Sequence, residues 1–198
     1  MCRFVESIQL KDGEFKRLEL HQARLQKAME DFYPNEKVIN LADSLKQASF
    51  PTDGLFKCRV VYDSAIRQIE FAPYVRREIH SLRLVETELE SFHYKLEDRS
   101  GFNVAFAQRG DCDDVLLVKN GFLTDSSYAN IALFDCENWY TPRVPLLFGV
   151  NRAQLLLEGK LIEKDIKPTE LMNFQYISLF NAMIEFEEVK LEISSISY

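Results

Sequence analysis

The sequence holds no apolar run approaching the ~18 residues that a membrane-spanning helix needs. Its opening residues, Met1-Cys2-Arg3-Phe4-Val5-Glu6, also lack the apolar stretch of a signal peptide, because Glu6, Lys11 and Asp12 interrupt it. A soluble, cytoplasmic protein is expected. The 7 glycines and 6 prolines are scattered, which excludes a low-complexity linker or a disordered tail. Internal repeats are absent too. Basic clusters are missing: the densest spot is Arg76-Arg77, and the formal net charge is -7. A phosphate backbone has to be met by clustered Lys and Arg, so nucleic acid is excluded as a partner. Cys2, Cys58, Cys112 and Cys136 lie far apart with no Cys-x-x-Cys pair, and His21, His80 and His93 have no metal-ligand spacing. Free thiols in a reducing compartment and no metal are expected.

What is present is an ordinary globular composition, 46% hydrophobic and 28% charged, over 198 residues. That length suits one good core or two small lobes sharing an interface. Residues 3–10 read as a strand, with a turn at Lys11-Asp12-Gly13. Leu18, Leu25, Ala28, Met29 and Phe32 recur at helical spacing, and Pro34 stops that helix. Val38, Leu41, Ala42, Leu45 and Ala48 mark a second helix. Phe56, Cys58, Val60 and Tyr62 then alternate on one strand face, and residues 66–74 return as its partner. Leu82 to Val85 is a further strand. These elements predict an α+β lobe over residues 1–87, with the boundary in the charged stretch Glu86 to Glu90.

The second lobe, residues 88–198, begins near His93-Tyr94-Lys95. A helix is expected from Phe102 to Gln108, and a strand from Val115 to Val118 leads to Asn120-Gly121, the strongest hairpin signal in the chain. Strands at residues 131–134 and 139–141 continue an antiparallel meander. Gly149 opens a helix over residues 150–158, and strands at 161–166, 176–180 and 189–193 complete an α+β, two-lobed whole.

Single polar residues here are weak signals, but their order forms a pattern. His21-Gln22-Ala23-Arg24-Leu25 lies on the first helix, and Lys95 to Arg99 has the form Lys-x-x-x-Arg. Leu123-Thr124-Asp125-Ser126-Ser127-Tyr128-Ala129-Asn130-Ile131 follows the hairpin. Thr141-Pro142, then Pro145-Leu146-Leu147-Phe148-Gly149-Val150-Asn151-Arg152, and Asn181-Ala182-Met183 complete it. Over roughly residues 4 to 190 this series resembles the class IV aminotransferases, pyridoxal-phosphate enzymes that include branched-chain and D-amino-acid aminotransferases and aminodeoxychorismate lyase.

The resemblance implies a pyridoxal 5'-phosphate (PLP) cofactor joined to the protein through the amine of Lys95. Such an amine has to be neutral near pH 7, and it can then move the substrate α-proton. A solvated surface lysine is the alternative. Arg24 matches the arginine that grips the cofactor phosphate, a task suited to a guanidinium fork. Its alternative is a salt bridge to a neighbouring carboxylate. Gly149, Val150 and Asn151 resemble the second phosphate clamp, with backbone amides at a helix N-terminus. Asp125 stands where the family has a glutamate facing the pyridine nitrogen. The competing reading is a turn aspartate capping Ser126 or Ser127. Asn130 is expected to fix the local backbone, and Tyr94, Arg99 and Arg76 are further pocket candidates.

Relatives carry another strand pair before the segment matching Phe4 to Leu10, so truncation at the N-terminus is expected. Glu185, Glu187 and Glu188 follow Asn181-Ala182-Met183 and are expected to alternate outward on an exposed strand. The resemblance implies a homodimer acting on a small-molecule amino substrate. It points first to a lyase that splits 4-amino-4-deoxychorismate into 4-aminobenzoate, for folate biosynthesis, and pyruvate. A class IV aminotransferase with the same Lys95, Arg24 and Asp125 is the alternative, and a non-catalytic relative with a binding role is a third.

Overall fold

The computed structural model describes residues 2–198. The chain falls into two compact units, one running up to Val75 and including His93–Asp98, the other Arg76–Phe92 with Arg99–Tyr198. This differs from a single cut after residue 87. Residues 82–86 pair with a strand of the larger unit, and the backbone amide of Val5 donates to the Lys95 carbonyl at 2.9 Å in the smaller one. Lys95 is therefore in the smaller unit, not the larger.

In the smaller unit the strands β1 (Phe4–Lys11), β2 (Glu14–Phe15), β3 (Leu55–Tyr62) and β4 (Ile66–Pro73) form an antiparallel sheet in the order β2-β1-β3-β4. Period-two patterning puts Phe4, Ile8, Cys58, Val60 and Tyr62 in the core. Helix α1 (Leu18–Phe32) packs Leu25, Ala28 and Met29 into the same cluster. Helix α2 (Leu41–Lys46) is shorter than its apolar pattern suggests. It begins where Asn40 accepts from the Asp43 amide at 3.0 Å, and its Leu41 and Leu45 are buried.

The larger unit contains β5 (Leu82–Glu86), helix α3 (Ser100–Ala107), β6 (Asp114–Lys119), β7 (Phe122–Ser126), β8 (Asn130–Phe134) and β9 (Trp139–Pro142). Helix α4 (Val150–Leu157), β10 (Ile162–Lys164), a 3-10 turn at Pro168–Asn173, β11 (Tyr176–Phe180), β12 (Val189–Glu192) and β13 (Ile196–Ser197) follow. The sheet runs β10-β9-β8-β7-β6-β5-β13, with β11 between β8 and β12. The expected meander is β6 to β9, antiparallel throughout. Strand β5, by contrast, is parallel to β6, which is why it belongs here and not to the first lobe. Helix α3 covers this parallel pair, placing Ala105 against Val85, Val115 and Leu117. Glu187 and Glu188 are exposed as expected, though in a turn before β12 rather than on a strand.

Asn120 and Gly121 both have positive φ, 52° and 78°, the mirror-image turn that fits the twist of β6 and β7. A Cβ on Gly121 would meet nothing within 4 Å. Gly121→Ala should therefore cost only the backbone penalty, about 1 kcal/mol. Urea unfolding should show a lower midpoint with an unchanged slope; a loss of several kcal/mol would contradict this account of the turn.

Candidate active site

In the smaller unit, β1 has a polar residue at a core position. Phe4, Glu6, Ile8 and Leu10 share the face toward α1, and Glu6 is fully buried there. Its carboxylate accepts Arg24 Nε at 2.9 Å and Arg24 Nη2 at 2.5 Å, while His21 Nδ1 lies 2.5 Å from Oε2. Burial alone would push the Glu6 carboxyl up, but the Arg24 charge and the His21 bond outweigh it and hold the group at about 2. Glu6 is thus ionised, so Nδ1 of His21 carries the proton. Burial disfavours a second proton on His21, as do the nearby charges of Arg24 and Lys95. His21 Nε2 is left buried with no hydrogen-bond partner.

Lys95 is half-buried, and its Nζ donates to the hydroxyl of Ser7 on β1 at 3.1 Å. The structure thus brings Lys95 and Arg24 into one neighbourhood, with Glu6 and His21 between the sequence motifs. Arg24 makes the salt bridge weighed against its phosphate role, yet Glu6 takes only Nε and Nη2. Sequence reasoning missed Glu6 and Ser7. Glu6 had a signal, a carboxylate on the apolar face of a period-two strand.

The larger unit holds Asp125, Gly149, Val150 and Asn151. Asp125 is 3% exposed. Its Oδ2 accepts the backbone amides of Leu146 and Leu147 at 2.6 and 3.0 Å, and its Oδ1 accepts Asn130 Nδ2 at 2.7 Å. It does not cap Ser126 or Ser127; the Ser126 hydroxyl itself accepts the Tyr128 and Ala129 amides. Burial pushes the Asp125 carboxyl up to about 6 against the pull of those donors. Asn130 does fix the backbone, donating also to the Leu147 carbonyl at 2.8 Å. A Cβ on Gly149 would sit 2.0 Å from Asn130 Oδ1, so glycine is needed for that close approach.

Gly149 precedes α4 without a side-chain cap, and Val150 and Asn151 are buried at its start. The first amides of a helix have no partner within it. This uncapped N-terminus suits an anion. Asn151 contributes only its backbone, since Nδ2 is spent on the carbonyls of Asn181 and Ile184. The remaining pocket candidates have structural work. Tyr94 packs edge-on to Phe4 and Phe32, Arg99 donates to the Ser127 carbonyl at 2.6 Å, and Arg76 pairs with Glu188 at 3.7 Å. Among the described residues no cluster of His, Cys, Asp or Glu could hold a metal ion, and no helix is long and apolar enough to cross a membrane.

The model of the class IV amino-transferase family matches residues 103–191. An uncharacterised protein of Haemophilus influenzae is 33% identical over 185 residues, covering 92% of this chain and 98% of its own length. A solved structure from Haemophilus somnus, described as a candidate 4-amino-4-deoxychorismate lyase, superposes with a TM-score of 0.86 at 28% identity. The match covers 93% of this chain and 98% of that one. A candidate amino-acid aminotransferase from Mesorhizobium loti reaches 0.84 at 22% identity over 97% and 99%, a likeness of fold. Residues 103–191 thus carry a class IV aminotransferase domain, and the chain has the fold of the class IV enzymes.

The Glu6 cluster makes stability depend on acid. An unfolded Glu titrates near 4.5 and Glu6 in the fold near 2, so the folded chain binds fewer protons between those values. The contribution of Glu6 is complete above pH 4.5 and is lost as pH falls toward 2, about 3 kcal/mol in all. Glu6→Gln should flatten this limb of the stability–pH curve measured by urea unfolding. Parallel curves for the two proteins would show that Glu6 does not carry it.

Proposed function

We propose that the protein is a PLP-dependent lyase that converts 4-amino-4-deoxychorismate into 4-aminobenzoate and pyruvate. The observation that carries the chemistry is the half-buried Lys95 amine, bonded to the neutral Ser7 hydroxyl beside the Glu6–His21–Arg24 cluster. The lyase assignment, rather than transamination, is supported by the likeness to the Haemophilus somnus chain over nearly its whole length. When bound, PLP supplies an electron sink for the substrate carbon that carries the amino group.

The protein's part follows from residues in place. Lys95 Nζ would take the proton from that carbon; the ring C–O bond then breaks, the three-carbon side chain leaves as the enolate of pyruvate and takes up a proton at its methylene carbon, and the ring becomes aromatic. Arg24, held in plane by Glu6, offers Nη1 to the cofactor phosphate. In the larger unit, the amides of Val150 and Asn151 lie at an uncapped helix start, a geometry suited to an anion. A homodimer is the assembly this reading entails.

The test is to add PLP to the purified protein, reduce with borohydride, map the adduct by peptide mass, and assay pyruvate release from 4-amino-4-deoxychorismate. The expected outcome is an adduct on Lys95, lost in Lys95→Ala, and pyruvate formed in step with 4-aminobenzoate. Keto-acid-dependent amino transfer without pyruvate release would instead make the protein an aminotransferase. A colourless protein with no adduct would overturn the cofactor role.

A further inference from the structure

The turn of residues 146–149 is held from two directions. On one side Phe92 donates to the Leu146 carbonyl at 2.8 Å, and Phe148 donates to Phe92 at 3.2 Å. On the other, the Asp125 carboxylate takes two successive amides, Leu146 and Leu147, with Asn130 bridging Asp125 to the Leu147 carbonyl. Asn130 Oδ1 also abuts Gly149, where no side chain fits. All three donors to Asp125 are N–H groups, which a carboxylate satisfies only as an acceptor. Charge-assisted bonds of this kind are the strong ones, and a buried carboxylate exchanges them only at high cost.

We infer that Asp125 is a positioning residue rather than a partner of the cofactor ring: it latches the 146–149 turn and so presents the first amides of α4 to the cofactor phosphate. This rests on the PLP reading given above. The physical reason is reach. Asp125 lies in β7 directly opposite Asn130 in β8, and its short side chain is spent on the neighbouring turn.

Asp125→Asn decides this, because its amide would face three N–H donors. In protein without cofactor, Tm should fall by about 6–15 °C. Affinity for PLP should drop at least tenfold, while affinity for pyridoxal, which lacks the phosphate, changes less than twofold. With ring-15N PLP, the nitrogen resonance should be the same in wild type and variant. A protonated ring in wild type that is lost in Asp125→Asn, an unchanged Tm, or equal losses for PLP and pyridoxal would each overturn the latch. Should Asp125→Asn fail to fold, Asn130→Ala, which removes one of the three donors, carries the same comparison of PLP with pyridoxal. A wild type that takes up no PLP sinks the proposed function, and the cofactor-free melting then decides the latch by itself.

Discussion

Glu6 is a carboxylate taken wholly out of water on the core face of a strand, and such a group is tolerable only when charge and hydrogen bonds meet it. Arg24 and His21 do so from one face of α1, three residues apart and therefore on neighbouring turns. The bonds fix more than a charge. They set the rotation of α1 about its axis over the sheet, because Leu25, Ala28 and Met29 must enter the core while His21 and Arg24 reach Glu6. They also fix the tautomer of His21 and the plane of the Arg24 guanidinium. A single polar residue on an apolar face thereby orders the helix that carries it and both partners that meet it.

The larger unit obeys the same constraint with different partners. Asp125 is met by backbone amides and one side-chain amide rather than by a cation, and burial accordingly outweighs the donors instead of losing to them. The contrast follows from the chemistry: a guanidinium brings a full charge to Glu6, whereas amides bring only dipoles. Both carboxylates nonetheless do one mechanical job, turning a side chain into a fixed point from which a neighbouring element is hung. For Glu6 that element is α1; for Asp125 it is the turn that starts α4.

Features set by neighbours in the chain could be read from the sequence. Asn120-Gly121, the apolar stripe of α1, the alternation in β3 and the uncapped start at Gly149 all follow from local sterics and periodicity. What could not be read depends on partners distant in the chain. Leu82 to Glu86 looks like any short strand, and only pairing with β6, across the excursion of His93–Asp98, decides its unit. The two amides that occupy Asp125 lie 21 and 22 residues further on, and a turn aspartate has the same local signature. Glu6 was legible as an anomaly, a carboxylate at a core position, but its partners are 15 and 18 residues away.

The charge count around Arg24 bears on how the phosphate of a cofactor would be held. Glu6 cancels the guanidinium charge and His21 is neutral, so this cluster carries little net charge of its own. A dianionic phosphate brought to a balanced pair gains hydrogen bonds but little Coulomb energy. In the larger unit the first turn of α4 has uncapped amides and no acidic residue within it, so it can meet an anion by dipoles alone. The turn ahead of α4 is tied down from several directions, which matters for such a site: dipoles, unlike a charge, bind an anion only when their direction is right. The latch on residues 146–149 supplies the direction that a net charge would not require.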